Sequence, residues 1–197
     1  TSTGFTLPGD PTLDLVVAPD ITNDAAVLEF DFIPTSDTLT FKYVFGSEEY
    51  LEYVASINDA FGFFLSGPNP AGGMYVDENL AIIPGTTDPV SIFNVNDVTN
   101  SAYYIDNGDG STAPQNTDPT VIQFDGFTTP LTAIAAVICG ATYHIKLVVA
   151  DAGDDIIDSG VFLEAGSFFS PTLSVVNNLG IDSNVLELAC GYEVILT

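Results

Sequence analysis

Carboxylates are the residues of this chain best placed to do chemistry, and they gather in two knots. The first lies in FKYVFGSEEYLEYVASINDAFGFFLSG (41–67), where Glu48, Glu49, Glu52 and Asp59 sit between two aromatic, strand-like runs. The second, VADAGDDIIDSGVF (149–162), holds Asp151, Asp154, Asp155 and Asp158 between two apolar runs. Carboxylates this dense do not all ionise in one loop without a cation or wide exposure to water. Gly153 and Gly160 supply the tight backbone that a ligand loop needs. Calcium takes roughly six to eight oxygens from side chains, carbonyls and water, which such a loop delivers. The expectation is a calcium site on Asp151, Asp154 and Asp158, reached by one or two of Glu48, Glu49 and Asp59. The alternative is a solvated Asp loop beside a capped helical turn, with Glu48, Glu49, Asn58 and Asp59 facing water. DNGDGS (106–111) lacks the alternate-position acids and distal Glu of a calcium loop and reads as a turn.

Other chemistries have thinner support. His144 is the sole histidine, flanked by Tyr143 and Ile145 in a strand-like run, so it reads as structural and not as part of a Ser-His-Asp device. One His and two distant Cys do not make a zinc site. Glycoside hydrolysis needs two carboxylates facing each other in a cleft, and none of the acids has a recognisable context for that. Sugar binding on aromatic platforms has eight Tyr to draw on but no Trp. Lys42 and Lys146 read as stems lying over a sheet rather than as partners in an isopeptide link.

These residues must be held by a folded scaffold, and the composition provides one. The 197 residues are 46% hydrophobic and 11% aromatic, which sets the chain apart from acidic disordered sequences. Against 27 Asp and Glu stand two Lys, for a formal net charge of −25. Such a surface repels nucleic acid and anionic membranes, and it has almost no intramolecular partners for its acids. Cys139 and Cys190 suit an extracytoplasmic setting. If bridged, they close a loop of about fifty residues, worth roughly 4 kcal/mol in the chain-entropy picture. TSTGFTLPGDP at the N-terminus is not a signal peptide, so an exported form is expected as a mature or excised piece.

The scaffold reads as β. AVLEFDFIP (26–34) sets Val27, Glu29, Asp31 and Ile33 against Leu28, Phe30 and Phe32. TLTFKYVF (38–45) puts Leu39, Phe41, Tyr43 and Phe45 on one face. AFGFFLSG, NLAIIPG, VSIFNV, TVIQFDGF, TYHIKLVVA and SGVFLEAGSFF follow, each bounded by turn residues. LTAIAAVICGATYHIKLVVA (131–150) carries no acid, but His144, Lys146 and the Cys-Gly-Ala-Thr break make it a core hairpin rather than a membrane span. The pattern predicts an all-β sandwich or jelly roll with one short helical excursion in SEEYLEYVASI, capped by Ser47. IDNGDGSTAPQNTDP (105–119) reads as a long surface loop. After a Ser-Pro break near 170, the tail 170–197 contains further strands that complete the sandwich, pair with a neighbour or open another module.

DAAVLEFDFIPTSDTLTFKYVFGSEEYLEYVASINDAFGFFLSGPNP, with GDPTLD before it and LAIIPGT, FDGFTTPLTA and TYHIKLVVADAGDDIIDSGVFLEAGSF after it, resembles the choice-of-anchor L domain. The motifs occur in the same order over roughly residues 9 to 169, so 1–169 is taken as the domain. Two departures stand out: the family's usual glycine-rich part before GDP is missing, and no sorting signal follows the tail. The resemblance implies a secreted or surface-anchored bacterial module with an adhesive or structural role and no established catalysis. Its expected partners are copies of itself or neighbouring modules, and glycans in the rival reading of a carbohydrate-binding or glycan-hydrolysing domain.

Overall fold

Alternating hydrophobicity builds the two longest strands as expected. The computed structural model describes residues 4–54, 56–114, 116–118 and 120–168, and the backbone of 174–176 and 185–187. β1 (Thr22–Phe32) and β2 (Thr38–Ser47) carry the two patterns. On β2, Leu39, Phe41, Tyr43 and Phe45 are all buried, as period-two alternation requires of a strand covered on one face. The chain continues through β3 (Ala60–Pro68), β4 (Met74–Asn79), a 3-10 turn (Ser101–Tyr103), β5 (Tyr104–Asp106), β6 (Gly126–Thr128), β7 (Leu131–Ala136), β8 (Tyr143–Ala152) and β9 (Ser159–Leu163).

The strands form two antiparallel sheets. One has the order β1-β8-β3-β4; the other runs β5-β6-β2-β7, with β9 on the opposite side of β2. Phe61, Phe63, Leu65, Tyr143, Ile145 and Leu147 of the first sheet meet the β2 and β7 residues in one core. Phe41 and Phe63 touch across the gap at 5.1 Å between ring centroids, and Tyr43 and Phe61 at 5.0 Å. Aromatic pairs at this spacing contribute about 0.5–1.5 kcal/mol beyond the area they bury. The all-β sandwich is therefore as the sequence predicts.

Its details differ in three places. Residues 131–150 do make two strands around a turn, but β7 pairs with β2 while β8 pairs with β1 and β3, so they lie in opposite sheets and form no hairpin. NLAIIPG and VSIFNV contribute isolated bridges, Ile82 to Pro89 and Ser91 to Ala60, instead of strands. The segment after Ser47 folds as turns, tied by Tyr53 N–H to Glu49 O at 3.1 Å and Ile57 N–H to Tyr53 O at 2.9 Å. Its apolar stripe is not one buried face: Tyr50 is enclosed and its hydroxyl donates to Val95 O at 2.7 Å, whereas Tyr53 is exposed.

The short α-helix of the described residues is α1 (Pro11–Val17), in GDPTLD. Asp10 caps it by accepting from Thr12 and Leu13 N–H, and Pro11 sits where its missing N–H costs nothing. Leu13 and Val17 pack on Phe64, Val148 and Ala150, covering the outer face of the first sheet. Lys146 Nζ, 2.5 Å from Asp10 Oδ2, pins the helix to β8. Burial pushes the Asp10 carboxyl up, but Lys146 and the two amides outweigh it and hold it below its ordinary value. In the tail, β10 (Ser174–Val176) and β11 (Val185–Glu187) pair antiparallel with each other. Cys139 is not a free thiol; Cys190 lies outside the described residues.

Candidate functional site

Register carries both acid knots to one end of the sandwich. Ser47 at the end of β2 faces Ser159 at the start of β9, and Ala60 at the start of β3 faces Ala150 near the end of β8. The turns after Ser47, the residues before Ala60 and the β8–β9 loop therefore meet, and the meeting involves both sheets.

Three acids are interred there: Glu49 is 1% exposed, Asp59 0% and Asp151 8%. Asp59 is fully engaged, its Oδ1 accepting from Ala152 N–H at 3.0 Å and its Oδ2 from the Ser159 hydroxyl at 2.7 Å. Those two bonds stitch the residue preceding β3 to β8 and to β9. Glu49 differs. Its amide donates to Ser47 Oγ at 2.9 Å, yet both side-chain oxygens are buried and meet no hydrogen-bond partner. Asn58 completes the wall, accepting from Phe93 N–H at 3.1 Å through Oδ1 and donating its own N–H to Ala152 O.

The electrostatics follow from this burial. Desolvation first, then Asp59, Asp154, Asp151 and Glu48, push the Glu49 carboxyl up to about 8. Burial, then Asp59, Asp158, Asp24 and Asp154, push Asp151 to about 8. Burial also raises Asp59 to about 7, against the downward pull of its Ser159 and Ala152 bonds, with Asp154 and Asp158 adding to the rise. The three basic side chains of the chain are engaged elsewhere. Lys146 is on Asp10, Lys42 lies 3.3 Å from Glu164, and His144 Nδ1 lies 2.9 Å from Asp31 on an exposed face.

The remaining members of the Asp loop are half-buried. Asp154 Oδ1 accepts from Ile156 N–H at 3.2 Å, and the Asp158 carbonyl accepts from Glu48 N–H at 3.1 Å. Gly153 and Ile157 both adopt positive φ, at 108° and 74°, which brings the acids of this short loop round within coupling distance of Glu49 and Asp59. Among the described residues, no three His, Cys, Asp or Glu side chains converge closely enough to hold a metal ion by themselves. The oxygens of any cation held here must come in part from the backbone and from water.

An acid-rich hollow lies beside this buried group. It measures about 380 Å³ and is lined by Glu48, Glu52, Asp109, Gln123 and Asp125, among others. Burial, then Glu52, Glu48, Asp109 and Asp106, push Asp125 up to about 7. Asp109 keeps the turn role expected of DNGDGS, accepting from Ser111 N–H at 2.9 Å, as Asp106 does from Gly108 N–H. Glu48 thus lines the hollow and also acts on buried Glu49. The reading of the sequence missed Asp125, because a single acid inside FDGF carries no clustering signal. It also missed Ala152 and Ser159, whose parts depend on strand register; Ser47, read as a cap, does accept from Glu49 N–H.

The profile of the choice-of-anchor L domain matches residues 1–169. No curated protein and no solved structure gives a significant match. Among the described residues no helix is long and apolar enough to cross a membrane. With most of its length matched, the chain belongs to the choice-of-anchor L domain family, whose members are extracellular, surface-associated modules.

Proposed function

We propose that this chain is a non-catalytic structural and adhesive module of a surface protein or fibre, stiffened by calcium from the medium. The observation that carries the cation is the charge arithmetic at one end of the sandwich. Acids from two loops are interred together, while Lys42, Lys146 and His144 are engaged elsewhere. A module working outside the cell meets calcium at concentrations high enough for weak sites to fill. A cation bound by the native state alone stabilises it by mass action. Melting curves in calcium and in excess chelator test this, and identical curves would remove the cation from the account.

Assembly through strand addition is the finer part of the reading, and it rests on a different feature. Leu28 shares the face of β1 whose Phe30 and Phe32 pack on the core, yet it is 51% exposed. Beside it runs an apolar groove of about 200 Å³ between β1 and β9, lined by Ala26, Leu28, Phe61, Leu147, Val161 and Leu163. β1 is an edge strand, and an unpaired edge accepts a strand readily. The occupant is the tail 170–197, from the same chain or from its neighbour. The family match ends at 169, and Phe168 already packs on Phe30, Phe32 and Phe41. TLSVVNNLG (172–180), which follows, is free of acids in a chain that is otherwise rich in them. Light scattering of the full chain and of a chain cut after residue 170 decides between the two sources. A monodisperse full-length monomer in calcium rules out exchange between neighbours.

A further inference from the structure

Glu49 stands apart from every other carboxylate of the described residues. It is 1% exposed, and both of its oxygens are buried without a hydrogen-bond partner. Native proteins rarely leave a charged group in that condition, since an unpaired buried charge is strongly destabilising. The usual remedies are absent here: the basic side chains are engaged elsewhere, and Ala152 N–H and the Ser159 hydroxyl are taken by Asp59.

We propose that Glu49 and Asp151 are the primary ligands of a calcium-class divalent cation that clamps the two sheets together at this end of the sandwich. The inference rests on the cation reading above and sharpens it. It moves the centre of the site from the half-buried Asp154 and Asp158 of the loop to the interred pair. A single proton would satisfy one carboxylate, whereas Glu49 feels Asp59, Asp154, Asp151 and Glu48 together, and a divalent charge answers more than one of them. The donor chemistry selects the ion. The side chains that act on Glu49 among the described residues are carboxylates, not the imidazole or thiolate that zinc and the later transition metals prefer. Two free oxygens on one carboxylate allow bidentate coordination, which suits the larger, geometrically tolerant calcium better than octahedral magnesium.

The clamp has a structural consequence. Glu49 follows β2 of one sheet, and Asp151 lies in β8 of the other, in register with Asn23 of β1. Asp59 already joins β8 to β9 through its two hydrogen bonds and frames the site without spending either oxygen on an ion. Removing the cation should loosen residues 48–58 and 153–160, and leave the β7–β8 turn at the other end as protected as before.

Isothermal calorimetry with calcium chloride and magnesium chloride, on the full chain as wild type, Glu49→Gln, Asp151→Asn and Asp125→Asn, tests the assignment. Expected is calcium binding by the wild type that weakens at least tenfold in Glu49→Gln and Asp151→Asn and is unchanged in Asp125→Asn. Glu49→Gln keeps the shape and removes the charge, so in chelator it should melt no lower than wild type. A lower melting temperature there would mean that Glu49 has protein partners, which overturns the assignment. Wild-type calcium affinity in both inner-site variants would place the ion elsewhere, overturning this inference while the cation reading stands. No heat and no melting shift for the wild type with either salt would overturn both. Hydrogen exchange with and without calcium provides the local readout, and uniform protection changes along the whole chain would reject the clamp.

Discussion

The two acid-rich groups at one end of this sandwich meet at Glu48 but differ in burial. In the inner one, Glu49, Asp59 and Asp151 are enclosed between sheets. In the outer one, Asp109 lies on the surface and Asp125 is only half-buried, in an open hollow of about 380 Å³. Both gather several carboxylates, so a count of acids does not tell them apart. Burial does. Water screens the outer group, and Asp109 sits below its ordinary value, held down by its Ser111 bonds. Glu49 is buried and neither of its carboxylate oxygens meets a protein donor, so the same charges become a demand for a cation.

The largest effect should come from the engaged member of the inner group. Asp59→Ala strands Ala152 N–H and the Ser159 hydroxyl in a buried place, at about 1–3 kcal/mol for each unsatisfied group. Urea denaturation should report a loss of about 2–6 kcal/mol for this variant. Asp109→Ala in the outer group should stay within about 0.5 kcal/mol of wild type. Equal losses for the two variants would erase the distinction drawn between the two groups.

Next in size is the response to calcium. At free calcium about a hundredfold above the dissociation constant, mass action stabilises the wild type by about 2.7 kcal/mol. For a chain of this length that is a rise of about 5–11 °C in melting temperature. Glu49→Gln should flatten the response, whereas Asp109→Ala and Asp125→Asn should retain it; differential scanning calorimetry reads all of them. A response lost equally in Asp109→Ala would move the site outward.

A smaller effect sharpens the outer side. In the folded chain Asp125 is pushed up to about 7, mainly by burial, while an unfolded Asp titrates near about 3.9. Between those values the folded state binds the extra proton, so this contribution is complete below about pH 4 and is lost as pH rises through about 7. In chelator, melting temperature followed from pH 4.5 to about 8 should fall less steeply for Asp125→Asn than for wild type. Parallel curves would show Asp125 to be solvated like Asp109. The smallest change of all should be Asp154→Asn, whose half-buried carboxylate keeps an Ile156 N–H bond that an amide oxygen accepts equally well, so calcium affinity should drop less than in Glu49→Gln.

Much of this was legible in the residues alone. Alternation on β1 and β2 named the inward faces, and Leu39, Phe41, Tyr43 and Phe45 are buried as read. Clustering flagged Glu49, Asp59 and Asp151, three of the four buried acids among the described residues, the fourth being the helix cap Asp10. Helical spacing misled after Ser47, because Tyr50 and Tyr53 share a helical stripe in sequence but only Tyr50 finds a buried seat, under Val95. The Asp-Pro pair opening α1 was a capping signal that went unread.

Local chemistry thus determined which stretches extend, which face of each is apolar and where charge accumulates, since these follow from neighbours along the chain. Partnership did not follow from it. A period of two says which side of β7 and β8 is buried, but nothing about their lying in opposite sheets, and that arrangement turns on contacts with β1, β2 and β3 far along the chain. The same long-range register decided which of the clustered acids kept water and which lost it. Asp59 gained Ala152 and Ser159 as partners only because β8 and β9 converge on it, and Glu49, earlier in the same segment, was left with both carboxylate oxygens buried and without a hydrogen-bond partner.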